Sequence, residues 1–290
     1  MRTFVSALSV LLAVVLAAVA VPALWLEQNV VDESGFVRLL SPMGTDKDLQ
    51  SALASNLESS VIANSGIPDP LRPLAQQAMQ SAANGLLSDP GYPQAWNDTL
   101  RASHKLNVSP DKASANAFEL ELSPMAALLA HRLGSSLGVS LAGPASLPVQ
   151  VGTAQQRSWL TGAQDLGSLA VPLAFGAALA MALGLLCARR RGVALAWAGL
   201  GLLIVAAVYE LGAGLVPALG SAQGSSGSMS STFGTRAAEL AAAGFQPWIG
   251  GMAVTGGALL LVGAALGAFR RMRRARSASW EAPSVPRRSR

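Results

Sequence analysis

Charge is what this chain is short of. Only 13% of its 290 residues are Asp, Glu, Lys or Arg, where soluble domains carry roughly 25%. Hydrophobic residues make up 51%, and the mean hydropathy is +0.40. An ordinary soluble domain, a disordered chain and a coiled coil are thereby excluded as the whole answer. A single cysteine, Cys187, excludes an intrachain disulfide. Lysine is nearly missing: Lys47, Lys105 and Lys112 are the only ones among 21 basic residues. No Gly-x-x-x-x-Gly-Lys loop exists and no Gly-x-Gly-x-x-Gly follows a strand, so the common nucleotide cradles are absent. His104 and His131 are the only histidines, 27 residues apart on different predicted helices. Neither a metal nor a cofactor is expected from that supply.

What the chain does have is apolar length. A bilayer core of about 30 Å takes roughly 20 apolar residues in a helix. Four runs qualify: Phe4 to Leu26, Leu166 to Ala188, Val193 to about Val216 with Glu210 its only charge, and Trp248 to Phe269. The first has Arg2 ahead of it and small residues at Ala18 and Ala20, as a signal peptide would. Its length and its terminal Trp25 favour a retained membrane helix. Arginines then set the orientation. Arg2, Arg189 to Arg191, and the tail from Arg270 to Arg290 hold 12 basic residues against one acid, Glu281. The segment Glu27 to Asp165 holds 8 basic and 13 acidic residues, a net of −5. The positive-inside rule places both termini in the cytoplasm. Trp25, Trp159 and Trp248 fall at or near the expected outer ends, where an amphipathic ring is favoured. The arginine tail directly follows a membrane run, so it reads as a partner of anionic lipid headgroups and not of nucleic acid.

The expected organisation follows from these runs. Residues 1–26 form transmembrane helix 1 and 27–165 an extracytoplasmic domain. Residues 166–188 form helix 2, 189–192 a cytoplasmic Arg loop and 193–217 helix 3. Residues 218–246 form an outer Gly/Ser-rich loop, 247–269 helix 4 and 270–290 a basic cytoplasmic tail. The fold class is a mainly α membrane protein: four transmembrane helices in a bundle, plus a helical outer domain with a small two-stranded β element.

Within 27–165, residues Val31 to Pro42 read as irregular or a short helix. Thr45 reads as an N-cap with Asp46 and Asp48 in the first turn. Leu49, Leu53, Leu57 and Val61 then form a four-residue stripe. Asp69-Pro70 opens a second helix that stops at Asp89-Pro90-Gly91. A third begins near Pro93 and sets Trp96, Leu100 and His104 on one face. Phe118, Leu120 and Leu122 alternate with Glu119 and Glu121, which predicts a half-buried strand with both carboxylates toward solvent. A fourth helix starts at Ser123-Pro124 and ends at Gly134 or Gly138. The extended Leu147–Val151 is the expected strand partner. From about Ala154 a helix is expected to continue unbroken into the second membrane run. Gly220 to Thr232 reads as flexible linker, and Arg236 to Ala243 as a short helix feeding the fourth run.

Read in this order, the features resemble a group of actinobacterial four-helix integral membrane proteins with a large extracytoplasmic domain between the first and second membrane helices. The pieces that carry the resemblance are Trp25, Leu40-Ser41-Pro42, Asp46 to Val61, Trp96 to His104, Phe118 to Leu122 with Pro124, and Ala188-Arg189-Arg190-Arg191. The resemblance covers most of the chain. It implies an architecture and brings no activity or catalytic residue with it.

Candidate sites are few. Trp96 and His104 share a helix face with Arg101 at its edge, a group suited to an anionic or aromatic ligand. The plainer reading makes Trp96 a core anchor. Glu210, beside Tyr209, is the only ionisable residue within a membrane run. It is either an ion ligand or an interfacial carboxylate reaching water, and the second is preferred. Gly176, Ala180 and Gly184, then Ala253 and Gly257, and Gly263 and Gly267 recur every four residues as helix-packing candidates. Gly134-Ser135-Ser136-Leu137-Gly138 has the letters of a nucleophile elbow but lacks a preceding strand. The expectation is a non-enzymatic protein of the bacterial plasma membrane whose outer domain binds an envelope component, ligand or partner protein, with self-association open. A small transporter or channel component built on Glu210 is the alternative. An outer-face hydrolase using His104 or His131, with Ser136, is the remotest.

Overall fold

The computed structural model describes residues 2–53, 55, 85, 89–108, 118–137, 143–151, 154–221 and 229–280. The expected stripe members Leu57 and Val61, the helix from Asp69, and the tail beyond 280 lie outside them. Helices dominate: α1 (Arg2–Leu26), α2 (Glu33–Leu40), α3 (Tyr92–Val108), α4 (Ser123–Leu137), α5 (Ala154–Ser168), α6 (Ala170–Cys187), α7 (Arg191–Ser221) and α8 (Met229–Trp280). A π-helical turn spans Glu27–Val31 and a 3₁₀ turn Ser41–Thr45. Strands β1 (Glu119–Glu121) and β2 (Pro148–Gln150) pair antiparallel, Leu120 opposite Val149. Among the described residues, four helical segments are long and apolar enough to cross a membrane: Thr3–Val31, Ala170–Cys187, Arg191–Gly214 and Ser231–Met272.

The chain divides into two compact units. Unit 1 comprises Met1–Pro22, Leu169–Leu211 and Gln246–Arg290, and small residues hold it together. α6 runs antiparallel to α1: the Ser6 hydroxyl donates to the Gly184 carbonyl at 2.8 Å. A Cβ on Gly184 would lie 2.8 Å from Val10, and one on Gly176 would lie 3.4 Å from Leu16. Ala180, between them, is buried. α7 runs parallel to α1: Val14 meets Gly201, and the Tyr209 hydroxyl donates to the Ala18 carbonyl. α8 runs antiparallel to α7, backbone on backbone. A Cβ on Gly199 would sit 2.4 Å from the Gly256 oxygen, and one on Gly263 would sit 2.5 Å from the Gly192 oxygen. Positions Gly257 and Gly267 face open space, with nothing within 4 Å of an added Cβ, and Ala253 is only partly buried. The working stripe in α8 is thus Gly256 and Gly263, seven residues apart, and not the four-residue pairs. Two helical turns of about 3.5 residues return a side chain to the same seam. Outward-facing apolar side chains are bare: Phe4, Phe175, Leu211 and Val254 are 73–74% exposed.

Unit 2 comprises Ala23–Ser168 and Gly212–Phe245. Its core gathers Phe36, Leu40 and Met43, then Leu49 and Leu53, Trp96 and Leu100, Leu120 and Leu122, and Met125 and Leu129, with Val151 and Phe233. α2 forms because Asp32 caps it, accepting from the Gly35 N–H at 2.8 Å. The next helical run, 47–53, is capped by Asp46 and not by Thr45. The Asp46 carboxylate accepts from the Leu49 N–H at 2.9 Å, while the Thr45 hydroxyl turns back to the Pro42 carbonyl. Asp89 precedes α3 and accepts from Arg132 of α4. That guanidinium, together with the Gly91 N–H, holds its carboxyl below the ordinary range.

One rim of the sheet is covered and the other is interrupted. β1 turns its outer N–H groups to α3: Glu119 N–H to the Asn107 amide oxygen at 3.1 Å, and Glu121 N–H to the Ser103 hydroxyl at 2.8 Å. Pro148, opposite Glu121 in β2, has no outward N–H to offer.

Three further expectations change. The helix begun at Ala154 does not continue into the second run; it breaks at Leu169 between α5 and α6. Pro172 lacks the N–H that would bond the Ser168 carbonyl. Part of the expected flexible linker is helical. Gly220 and Ser221 end α7, residues 229–232 begin α8, and 222–228 lie outside the described residues. Phe233, Ala237 and Leu240 pack on the unit 2 core, and tertiary burial overrides the poor helix propensity of serine and threonine. Arg236 adds an ion pair with Asp46 at 2.7 Å. Lastly, Glu121 points inward, as described below.

Candidate functional site

Unit 2 holds an apolar cavity of about 720 Å³, within the usual range for small-molecule sites. Several elements wall it. α2, capped by Asp32, presents Phe36, Leu39 and Leu40. Phe118 and Val151 flank the two strands and lie opposite one another, the Val151 N–H donating to the Phe118 carbonyl at 3.0 Å. α5 brings Trp159, Gly162, Ala163 and Leu166, and α8 brings Phe233, Ala237 and Ala241. Phe118 and Phe233 stack with ring centroids 6.0 Å apart. Leu26 and Val30 complete the lining. Among the described residues no charged side chain lines it, and the Ser158 hydroxyl and Trp159 indole are its polar side-chain groups. Trp159 is 74% exposed. Gly162 leaves nothing within 4 Å of an added Cβ. Such an open apolar cleft can shield part of an apolar molecule from water.

The residues singled out by sequence sit elsewhere. Trp96 is 1% exposed, and its indole N–H donates to the Leu40 carbonyl at 3.3 Å. His104, on the same face of α3, is also buried and packs against the Phe36 ring, centroids 5.1 Å apart. Its Nε2 lies 3.2 Å from the Val30 carbonyl oxygen. A carbonyl only accepts, so Nε2 carries the proton. Arg101 is half exposed and pairs with Asp98 one turn away at 2.6 Å. Trp96 and His104 therefore share the core, while Arg101 lies outside it. His131 is exposed on α4. Ser135 and Ser136 lie within α4, so no strand leads into the elbow-like letters. Among the described residues no three His, Cys, Asp or Glu cluster as a metal site. Glu210 is exposed on α7 and accepts from the Gln246 amide at 3.2 Å.

Glu121 is the buried carboxylate that alternation misplaces. It is 8% exposed and accepts from the Ser146 hydroxyl at 2.6 Å, the Leu147 N–H at 2.5 Å and the Ser123 N–H at 3.1 Å. Burial pushes its carboxyl up, but these donors outweigh it and hold it below the ordinary glutamate range. These three bonds tie β1, α4 and the approach to β2 together.

Sequence reasoning missed the cavity. A usable trace existed in Trp159, Ala163 and Leu166, and in Phe233, Ala237 and Ala241, each set on one helix face. The first was hidden under a reading of its helix as a continuation of the second membrane run, and the second under a short helix read only as feeding the fourth run. Compared with known proteins, the chain matches no family profile, no curated protein and no solved structure.

Proposed function

We propose that this is a non-enzymatic integral protein of the bacterial plasma membrane, of the actinobacterial four-helix kind, whose outer unit holds the acyl portion of an envelope lipid or lipidated ligand. The carrying observation is the 720 Å³ apolar cavity of unit 2. Its wall includes Leu26, the last residue of the first apolar run, and Leu166, the first of the second. Covalent connection keeps those two positions within a few residues of the bilayer surface, at about 3.8 Å per residue. Trp159 at the wall is the residue type that favours that interface. Bare apolar side chains on unit 1, and the asymmetry of 12 basic residues in the inner pieces, support the membrane setting and inward termini. Each buried methylene of an acyl chain contributes about 0.8 kcal/mol, so affinity would rise with chain length.

The test is a photoreactive long-chain fatty acid applied to membranes carrying the full chain. Labelling should map to peptides containing Trp159 or Phe233. Gly162→Leu projects a side chain into free space and should cut labelling by about tenfold while the protein still accumulates. Absence of labelling in wild type, or labelling indifferent to Gly162→Leu, overturns the proposal.

A further inference from the structure

A second groove, of about 640 Å³, lies wholly in unit 1 between α1 and α7. Its walls run from Thr3 to Val14 on α1 and from Val193 to Ile204 on α7. At 1.5 Å per residue each wall is about 16 Å long. Half the hydrocarbon core of a bilayer is about 15 Å. The two ends differ in chemistry. Val14 and Ile204 close one end; Thr3, Ser6, Arg189 and Arg190 frame the other. Trp197 lines the wall and is 63% exposed. Among the described residues no carboxylate pairs with either arginine. The first turn of α7 opens beside them, presenting the positive end of a 31-residue helix.

We infer that this groove is a binding site for one anionic glycerophospholipid of the inner leaflet. An acyl chain lies along Ala7, Val10 and Ala194, and the phosphate rests on Arg189 and Arg190. Charge complementarity selects the occupant. A zwitterionic lipid fills the apolar length equally well but cancels its own phosphate charge, and a free phosphate gains nothing from the groove. The site is independent of the unit 2 cavity.

The experiment uses the full chain in detergent and native mass spectrometry with phosphatidylglycerol, phosphatidylcholine or glycerol phosphate. Phosphatidylglycerol should stay bound with a preference of about tenfold over phosphatidylcholine. The double variant Arg189→Gln/Arg190→Gln should erase the preference while both lipids still bind weakly. Ala7→Trp should weaken both lipids by blocking the groove. The charge-matched Arg270→Gln/Arg271→Gln control should leave the preference intact. Equal retention of the two lipids, an unchanged preference in the Arg189/Arg190 variant, or full competition by glycerol phosphate would each overturn the assignment.

Discussion

At Glu121 one side chain carries the local architecture of unit 2. Strand alternation placed Leu120 and Leu122 in the core correctly, and both are fully buried. It failed at Glu121 because alternation describes a strand's faces, not what returns to cover them. Ser146 and Leu147 arrive from 25 and 26 residues further on; the strand partner was legible, but the turn of these two donors onto the carboxylate has no local trace in the sequence. The four-residue spacing of Trp96, Leu100 and His104 was legible because helix period and burial coincide there. The depressed Glu121 carboxyl has a sign that can be checked. A group held below its unfolded range stabilises the fold above that range, and the contribution is lost as pH falls through the folded value. The thermal stability of unit 2 in the full chain should therefore drop on acidification below about pH 4, the unfolded glutamate range. Glu121→Gln should remove that acid-dependent component and cost about 1.5–3 kcal/mol at neutral pH. An acid transition unchanged in the Gln variant would assign the loss to other carboxylates.

Among the helices, the decisive feature is how closely α7 and α8 approach. Small-residue content was obvious from the sequence; the partner and the seam were not, because glycine is frequent enough to satisfy several periods at once. The contacts choose Gly192 and Gly199 against Gly263 and Gly256. Gly199→Leu should force the backbones apart and destabilise the membrane unit by about 1–3 kcal/mol, read as a lower unfolding temperature in detergent. Gly257→Ala, on the open side of the same helix, should be neutral or stabilising by up to about 1 kcal/mol. Equal losses in the two variants would mean the seam lies elsewhere. The break at Leu169 belongs to this scale as well. Pro172 was visible in the sequence, but an apolar run long enough to span a membrane masked its effect on the helix just before it.

For the molecule as a whole, apolar run length and arginine placement carried nearly all that could be read. Four spanning-length helices stand where the four runs were. Between the third and fourth runs a short helix over Arg236 to Ala243 was legible, but its packing was not, since Phe233 acquires meaning only through partners more than 100 residues away, such as Phe118. The expected topology has its own measurement. On a Cys187→Ser background, single cysteines at Ser114 and Ser228 should react with an impermeant maleimide on intact cells, and one at Ser277 should not. Reaction at 277 alone would invert the orientation. These blunted rims also have a consequence for assembly. An unfolded chain exposes its strands to neighbouring copies wherever the local density is high. Here α3 side chains occupy one strand's free rim, and a proline interrupts the other. Neither rim can template a foreign strand along its length, so unit 2 is guarded against edge-to-edge aggregation and is poorly suited to recruiting a partner by strand addition.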